Sequence, residues 1–211
     1  MTKIVWYGRG MSKQNTIRSY EVPAYYHVYN RGAHKDKIFL DNQDRAKFMA
    51  LLARYLDPTD VSVRADGVLY EKSSAKLIAY CLMGNHFHLL LFQEQDTTDI
   101  QKLMSSVMTS YSMYFNLRYK RTGRLFEGPY QASHIDTELY LAHITRYIHL
   151  NPRNYRTYKW SSLPEYLGSR HTAWIESGGV VDMSSAEYAE FLEDYEDRKA
   201  LLAAIKKGLD I

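Results

Sequence analysis

Residues 77–93 read LIAYCLMGNHFHLLLFQ, two apolar runs separated only by Gly84-Asn85. Each run has the length of a strand, and Gly-Asn is a two-residue hairpin turn because glycine accepts a positive φ. The stretch therefore predicts an antiparallel hairpin with Gly84 in the turn. Two histidines, His86 and His88, open its second strand, where burying an imidazole is costly unless something binds it.

The patterns on either side of the hairpin predict a single α+β unit. In chain order, its elements are a strand at 25–29, a helix capped by Asp41 through about 56, the hairpin strands at 77–83 and 86–93, a helix after a capping box at 98–101, a strand at 126–135, a helix from a cap at 136 or 137 to 151, and a last helix from 184 to 208. Between 59 and 75 we expect a loop or short hairpin. This order indicates a ferredoxin-like βαββαβ sandwich with an antiparallel sheet and one extra helix. We divide the chain into an N-terminal extension (1–20), a core domain (21–168) and a helical C-terminal extension (169–211).

Composition excludes several classes of protein. The 211 residues suit one domain with an appendage, and the net charge of +3 is too small to specify a partner. No run of 18 apolar residues is present, and the first residues lack the apolar core of a secretory signal. The single cysteine, Cys81, excludes an intrachain disulfide and a cysteine-rich zinc site. We expect a cytoplasmic protein without a membrane span.

The histidine pair can reach one metal ion. Side chains alternate across a strand, so His86 and His88 project from the same face and Phe87 from the other. A His-x-His pair taken alone is more often two buried, hydrogen-bonded histidines than a metal site. A metal site therefore requires a third ligand.

The helix before Pro152 offers such a ligand. His143, Tyr147 and Asn151 are spaced four apart and form one polar stripe. A tyrosine and an amide oxygen one turn apart combine a nucleophile with a ligand, and two imidazoles plus an amide oxygen leave open positions on an octahedral ion such as Mg²⁺ or Mn²⁺. The alternative is an amphipathic helix with a polar C-cap at Asn151.

These motifs together resemble a known family. His86-Phe-His88 resembles the HUH motif (His, bulky hydrophobe, His) of single-tyrosine, IS200-like transposases, and the segment 146–152, RYIHLNP, resembles their tyrosine-bearing helix. The closest branch is that of the REP-associated tyrosine transposases, which act on repetitive extragenic palindromes. Further matches are the segments 26–32, 123–128 and 160–162, so that the resemblance covers about residues 25–168. Gly84 stands where such proteins often have proline, and residues 1–20 and 169–211 match no motif.

The resemblance implies a role for each of these residues. His86, His88 and Asn151 would bind a catalytic Mg²⁺ or Mn²⁺, and Tyr147 would attack single-stranded DNA with hairpin or palindromic structure. The products would be a 5′-phosphotyrosine link and a free 3′-OH that can later reverse the attack. No general base is evident, although His143 is a candidate; Tyr140 and Tyr155 are the rival nucleophiles.

A basic group of residues is expected to contact DNA phosphates. Arg118, Lys120, Arg121 and Arg124 lie within one short segment, and Arg31 follows the first strand. Such contacts are electrostatic and independent of base sequence. The alternative is a solvated helix end, where cations also favour the C-terminal dipole.

The sequence leaves three functions open and makes a fourth, that of a rolling-circle initiator or relaxase, a poor fit. The preferred one is a nucleoid-associated, metal-dependent endonuclease and strand transferase of the REP-associated branch, which is expected to be monomeric. An insertion-sequence transposase that mobilises its own element would typically be a homodimer, and a rolling-circle initiator or relaxase fits the motif order poorly. A non-catalytic, single-stranded nucleic-acid-binding ferredoxin-like domain would have no need for all four of His86, His88, Tyr147 and Asn151.

Overall fold

A computed structural model describes residues 20–178 and 181–194. In chain order, the elements are β1 (Ala24–Arg31), α1 (Asn42–Leu56), β2 (Lys76–Leu82), β3 (His86–Gln93), α2 (Asp99–Arg118), β4 (Gln131–Ile135), α3 (Glu138–Leu150), α4 (Leu163–Tyr166) and α5 (Ser185–Glu193). Short 3₁₀ turns lie at Ala33–Lys35 and Tyr155–Thr157. Nearly all of the predicted N-terminal extension, and the predicted end of the last helix at 208, lie outside the described residues. No helix within the described ranges combines the length and apolar character that crossing a membrane requires.

The predicted ferredoxin-like sheet is confirmed. The strand order is β2-β3-β1-β4, and each neighbouring pair is antiparallel. β1 and β3 therefore form the centre of the sheet, which follows from two βαβ units interleaved in one sheet.

The sheet separates two apolar cores. One contains buried residues of α1 and α2, such as Phe48 and Val107, and the other contains α3 residues such as Ile144 and Ile148. Alternation along β3 sends Phe87 and Leu89 into the first core and Leu90 into the second. His86 and His88 consequently lie on the face that α3 covers.

The outer edge of β2 is covered by the chain that follows α3. The amide of Leu82 donates to the carbonyl of Trp160 (2.9 Å), and the amide of Ser162 donates to the carbonyl of Tyr80 (3.0 Å). An edge strand covered in this way cannot template pairing with another chain. Beyond residue 168, α5 packs on α3 through Tyr188, so this part of the C-terminal segment shares the core; its standing as a separate extension stays a prediction.

Three local expectations were wrong in detail. The hairpin turn is present, but Gly84 is not among the glycines with a positive φ. Thr98 is the N-cap of α2 without making a side-chain cap bond to it; its hydroxyl donates to Asp96 instead. The fourth strand was expected from 126, with Gly128-Pro129 at its edge or before it; β4 begins at Gln131, after Pro129, which has no amide hydrogen to offer a sheet.

Candidate metal and tyrosine site

The sheet and α3 bring the four predicted site residues together. Residues on the α3-facing side of the central strands pair directly, with Tyr29 opposite His88. α3 crosses this face and ends at its C-cap, Asn151. Asn151 Oδ1 lies 3.2 Å from His86 Nε2, and Asn151 Nδ2 lies 3.3 Å from His88 Nε2. The histidine pair and the helix-borne amide, 63 or more residues apart in the chain, thus meet at one point.

This donor set fits a hard divalent cation. Ligands held at about 2.1 Å in octahedral geometry lie about 3 Å from their neighbours, close to the 3.2 Å between Asn151 Oδ1 and His86 Nε2. Within the described ranges, no three His, Cys, Asp or Glu side chains come together to hold a metal ion, so among these residues only another type of side chain could be the third ligand. The amide oxygen of Asn151 is of the type that Mg²⁺ and Mn²⁺ accept. His86 and Asn151 are half-buried, which leaves this end of the site open.

Tyr147 lies against the histidines. Its ring meets His88 edge-on, with 5.3 Å between centroids, and its side chain is 1% exposed. Burial raises the pKa of Tyr147 above its ordinary value of 10.0, and a side-chain hydrogen bond with Asn151 opposes that shift. The phenol is therefore protonated at neutral pH, and a charge near Asn151 would be needed to favour the phenolate.

The rival groups have different positions. Tyr140 precedes Asn151 by three turns of α3, about 16 Å along the axis, whereas Tyr147 precedes it by one turn, about 6 Å. Tyr155 lies in the 3₁₀ turn after α3, with its ring 5.6 Å from the guanidinium of Arg156. His143 accepts from Arg146 through Nδ1 at 3.0 Å and packs on Phe191 of α5. Its role as a general base stays a prediction.

Two neighbours of the histidines were not assigned by the sequence. His27 of β1 is fully buried, and its Nε2 lies 3.0 Å from His88 Nδ1. Burial lowers the pKa of His27 to about 3, so the imidazole is neutral. Asn85 in the hairpin turn places Oδ1 2.7 Å from His86 Nδ1. Strand alternation could have indicated His27, which shares a strand face with Tyr29; nothing in the sequence indicated that Asn85 would turn towards His86.

The predicted DNA-contacting cations differ in how much of their charge is compensated. Arg118 pairs with Asp41 and Asp44, both at 2.6 Å. Arg31 lies opposite His86 on β1 and pairs with the exposed Glu127 at 2.8 Å. The other three lie after α2: Lys120 and Arg124 are exposed, and the guanidinium of Arg121 lies 5.5 Å from the ring of Phe115. DNA contact by all five residues stays a prediction.

The family comparison covers the part of the chain that holds this site. The model of a family described as "Transposase IS200 like" matches residues 23–151, which include β1 to α3 and all four site residues. No protein with a curated description matches the chain at a significant level.

Two solved structures are similar to the fold. A REP-associated tyrosine transposase bound to a REP hairpin superposes with a TM-score of 0.53 and 14% sequence identity, covering 83% of this chain and 96% of the other. A candidate transposase from Deinococcus radiodurans R1 gives a TM-score of 0.39 and 16% identity, covering 70% of this chain and 95% of the other. The first similarity supports the fold alone, and the second is too low to bear on it.

Proposed function

Because this chain belongs to the IS200-like transposase family, we propose that it is a metal-dependent endonuclease and strand transferase that cleaves single-stranded DNA through Tyr147. The observation that carries this proposal is the meeting of His86 and His88 at the side chain of Asn151, whose polar atoms lie 3.2 and 3.3 Å from the two Nε2 atoms, beside a tyrosine. A binding module has no use for such a set. Placing two imidazoles and an amide at the edge of an apolar core costs free energy, and a catalytic centre would account for that cost.

Each residue has a role in the proposed reaction. His86, His88 and Asn151 hold Mg²⁺ or Mn²⁺, which when bound polarises the scissile phosphate and stabilises the departing 3′ oxygen. The Tyr147 oxygen attacks phosphorus and loses its proton; the P–O3′ bond breaks, and the 3′ oxygen takes up a proton. Packing of the Tyr147 ring against His88 fixes its position relative to the ligands, which lowers the entropic cost of the attack.

The proposed partner is single-stranded DNA with a hairpin. The similar REP-associated transposase is bound to a REP hairpin, and the motifs at 26–32 and 123–128 resemble that branch. The four proposed site residues meet within one chain, since α3 packs on its own β2 and β3, with Tyr147 beside His88. This supports a monomer, with a homodimer as the alternative expected of an insertion-sequence transposase. A cytoplasmic, nucleoid-associated location is part of the proposal because the proposed substrate is DNA.

The test is the formation of a covalent adduct with hairpin DNA. The wild-type protein is incubated with single-stranded hairpin oligonucleotides from the flanks of its own gene, with Mg²⁺ or Mn²⁺, and the products are separated on denaturing gels. We expect a protein–DNA adduct and a free 3′-OH fragment in the wild type, and loss of both in Tyr147→Phe and with a chelator.

The rival tyrosines provide matched controls. Tyr140→Phe and Tyr155→Phe should keep the adduct, because neither residue occupies the turn of α3 that precedes Asn151. If Tyr147→Phe forms the adduct and Tyr140→Phe or Tyr155→Phe does not, the assignment of the nucleophile is wrong. If the wild type binds the hairpins without forming an adduct under any of these conditions, the non-catalytic binding function replaces the proposal.

A further inference from the structure

Each of the two imidazoles beside Asn151 has its other ring nitrogen held by a specific side chain. Both pairs have short distances: 2.7 Å from His86 Nδ1 to Asn85 Oδ1, and 3.0 Å from His88 Nδ1 to His27 Nε2. A neutral imidazole carries one proton, so the partner of one nitrogen decides whether the other has a free lone pair. The neighbours Asn85 and His27 therefore control what His86 and His88 present to the site.

Asn85 is oriented by the backbone. Its Nδ2 donates to the carbonyl of Lys35 at 3.2 Å, in the connection that follows β1. With the amide nitrogen directed to a carbonyl, Oδ1 is the atom that faces His86, and a carbonyl oxygen can only accept. The proton of a neutral His86 must then be on Nδ1, which leaves the lone pair on Nε2, facing Asn151.

His27 is the corresponding partner of His88, but an imidazole nitrogen can donate or accept, so the direction of this bond is set at the other nitrogen of His88. Asn151 Nδ2 donates to His88 Nε2 at 3.3 Å, which places the proton of His88 on Nδ1. That N–H donates to Nε2 of His27, whose buried ring lies within 20° of parallel to the ring of His88, with 5.1 Å between the centroids. His27 Nδ1 is then the protonated nitrogen, and it is a buried atom without a hydrogen-bond partner in the described residues. This arrangement leaves a buried donor unsatisfied, which is costly, and a positioning role for His27 would account for it.

We propose that Asn85 and His27 are positioning residues that fix the Nδ1–H tautomers of His86 and His88 and thereby direct both Nε2 lone pairs at a divalent cation beside Asn151. The inference rests on the proposed function, because it presupposes that cation. It also accounts for the contact between His86 Nε2 and Asn151 Oδ1 at 3.2 Å. In the Nδ1–H tautomer, both atoms are acceptors, and two acceptors at this distance repel unless a cation lies between them.

The first measurement determines the tautomers without metal. Two-dimensional ¹H–¹⁵N spectra of the histidine rings, recorded at pH 8 on chelator-treated protein, distinguish a protonated Nδ1 from a protonated Nε2. We expect His86 and His88 to be Nδ1–H, while the exposed histidines His34, His134 and His171 show averaged signals. A proton on Nε2 of His86 overturns the role of Asn85, and a proton on Nε2 of His88 overturns the role of His27.

The second measurement is Mn²⁺ affinity, from the electron paramagnetic resonance signal of free Mn²⁺. Loss of a partner that orients a metal-binding histidine typically weakens metal affinity by about 10- to 100-fold, and we expect this for Asn85→Leu and His27→Phe. Asn85→Asp should bind within about threefold of the wild type, because a carboxylate also accepts from His86 Nδ1–H. The ring spectra of Asn85→Leu should show His86 as a mixture of tautomers.

A buried histidine elsewhere supplies the control for His27. His149 is equally buried but bonds to Tyr188 and Ser162, so His149→Phe should keep the wild-type Mn²⁺ affinity. If His149→Phe loses as much affinity as His27→Phe, the effect is general loosening and the role of His27 is overturned. If the wild type binds Mn²⁺ and Asn85→Leu binds it equally, only the positioning inference fails. If the wild type binds no Mn²⁺, the metal site of the proposed function fails, and the inference with it.

Discussion

At the scale of single residues, two equally buried histidines have different surroundings. His149 on α3 is saturated, with Nδ1 2.7 Å from the Tyr188 hydroxyl and Nε2 2.8 Å from the Ser162 hydroxyl. His27 has one bonded nitrogen, directed at His88. A histidine with both nitrogens bonded to hydroxyls of the core stabilises the fold, whereas one bonded to another histidine at the edge of an open site can influence chemistry. Burial alone therefore does not separate structural from functional histidines.

His149 should make the fold sensitive to acid. Burial lowers the pKa of His149 to about 3, below its ordinary value of 6.5. As the pH falls below 6.5, the unfolded chain takes up a proton that the folded protein refuses, so this contribution to stability is complete above pH 6.5 and is lost progressively towards pH 3. Between pH 8 and pH 5, the loss should be about 2 kcal/mol in the free energy of unfolding.

Urea unfolding of the wild type and of His149→Gln at pH 8 and pH 5 measures this effect. The variant should be less stable at pH 8, because it loses the fitted imidazole, but it should lose about 2 kcal/mol less than the wild type on acidification. An equal acid loss in both proteins would show that His149 is protonated in the folded state.

The sequence predicted the inner part of the site but not its supporting residues. His86 and His88 follow from a strand period of two, and Tyr147 and Asn151 from a helix period of four, which are local rules. The partnership of His27 with His88 depends on how β1 and β3 pair, over a separation of 61 residues. The partnership of Asn85 with His86 depends on the carbonyl of Lys35, which lies 50 residues away in the chain. Neither partnership can be obtained from local spacing, although strand alternation places His27 on the same face of β1 as Tyr29.

At the scale of elements, the connection after β1 and the turn of the β2–β3 hairpin support each other. The amides of Ile38 and Phe39 donate to the carbonyl of Gly84 (2.9 and 3.0 Å), and the amide of Gly32 donates to the carbonyl of Asn85 (2.9 Å). These bonds hold the turn that carries Asn85 beside His86. Gly32 and Gly84 both take part in these bonds but differ in the space available for a Cβ, so the same substitution at each can be compared.

Gly32→Ala should damage the site, and Gly84→Ala should not. A Cβ on Gly32 would lie 2.1 Å from the carbonyl oxygen of Asp36, so the connection would have to move. A Cβ on Gly84 meets nothing within 4 Å, and its φ is not positive. We expect Gly32→Ala to lower the free energy of unfolding by about 1–3 kcal/mol, and Gly84→Ala to change it by less than about 0.5 kcal/mol.

Urea unfolding and Mn²⁺ affinity of the two variants provide the readouts. A Gly32→Ala protein with wild-type stability would mean that the connection can relax without cost and does not support the turn. A strongly destabilised Gly84→Ala protein would mean that the turn uses a backbone conformation that only glycine adopts.

The type and order of the elements were predictable, while several of their ends were not. Apolar patterns identified each strand and the helices α1, α2, α3 and α5, but not the short helix α4. Asp41 and Ser184 cap their helices as expected, since their side chains accept from the amides of Asp44 and Glu187. Thr98 failed as a side-chain cap because the carboxylate of Asp96 binds its hydroxyl and amide. Competition of this kind between nearby polar groups is decided by geometry that a sequence pattern does not contain.

At the scale of the whole molecule, charge is distributed unevenly around the site. The net charge is only +3, so long-range attraction of DNA must come from a local group of cations. Arg118 is of limited use for this purpose because Asp41 and Asp44 already compensate its charge. Lys120 and Arg124 are exposed. They lie near the end of the sheet that carries the site, because the next residue, Leu125, accepts at its carbonyl from the amide of Ala33, just after β1 (2.9 Å). These two cations are the best candidates for phosphate contacts.

Removing both charges should lower the salt dependence of DNA binding. Each phosphate contact to single-stranded DNA contributes about 0.7 to the slope of log affinity against log salt concentration, so Lys120→Asn with Arg124→Gln should reduce the slope by about 1.4. Asparagine is chosen because Lys120 has a φ of 52°, in the left-handed region that asparagine tolerates. Fluorescence anisotropy with a labelled hairpin, between 50 and 250 mM salt in a Tyr147→Phe background that prevents cleavage, measures the slope.

The control also removes two positive charges, but near the C-terminal end of α1, far from residues 120–124. Arg64→Gln with Lys72→Gln alters the segment next to the last turn of α1, where Lys72 Nζ donates to the carbonyl of Arg54 at 2.8 Å. The segment 120–124 lies near the first turn of α1 instead, because Arg118, just before it, pairs with Asp41. The two ends of this 15-residue helix are about 22 Å apart, more than twice the screening length in 0.1 M salt. The control should therefore keep the wild-type slope. Equal reductions in both double variants would mean that the hairpin responds to net charge alone and that residues 120–124 form no specific contact with its phosphates.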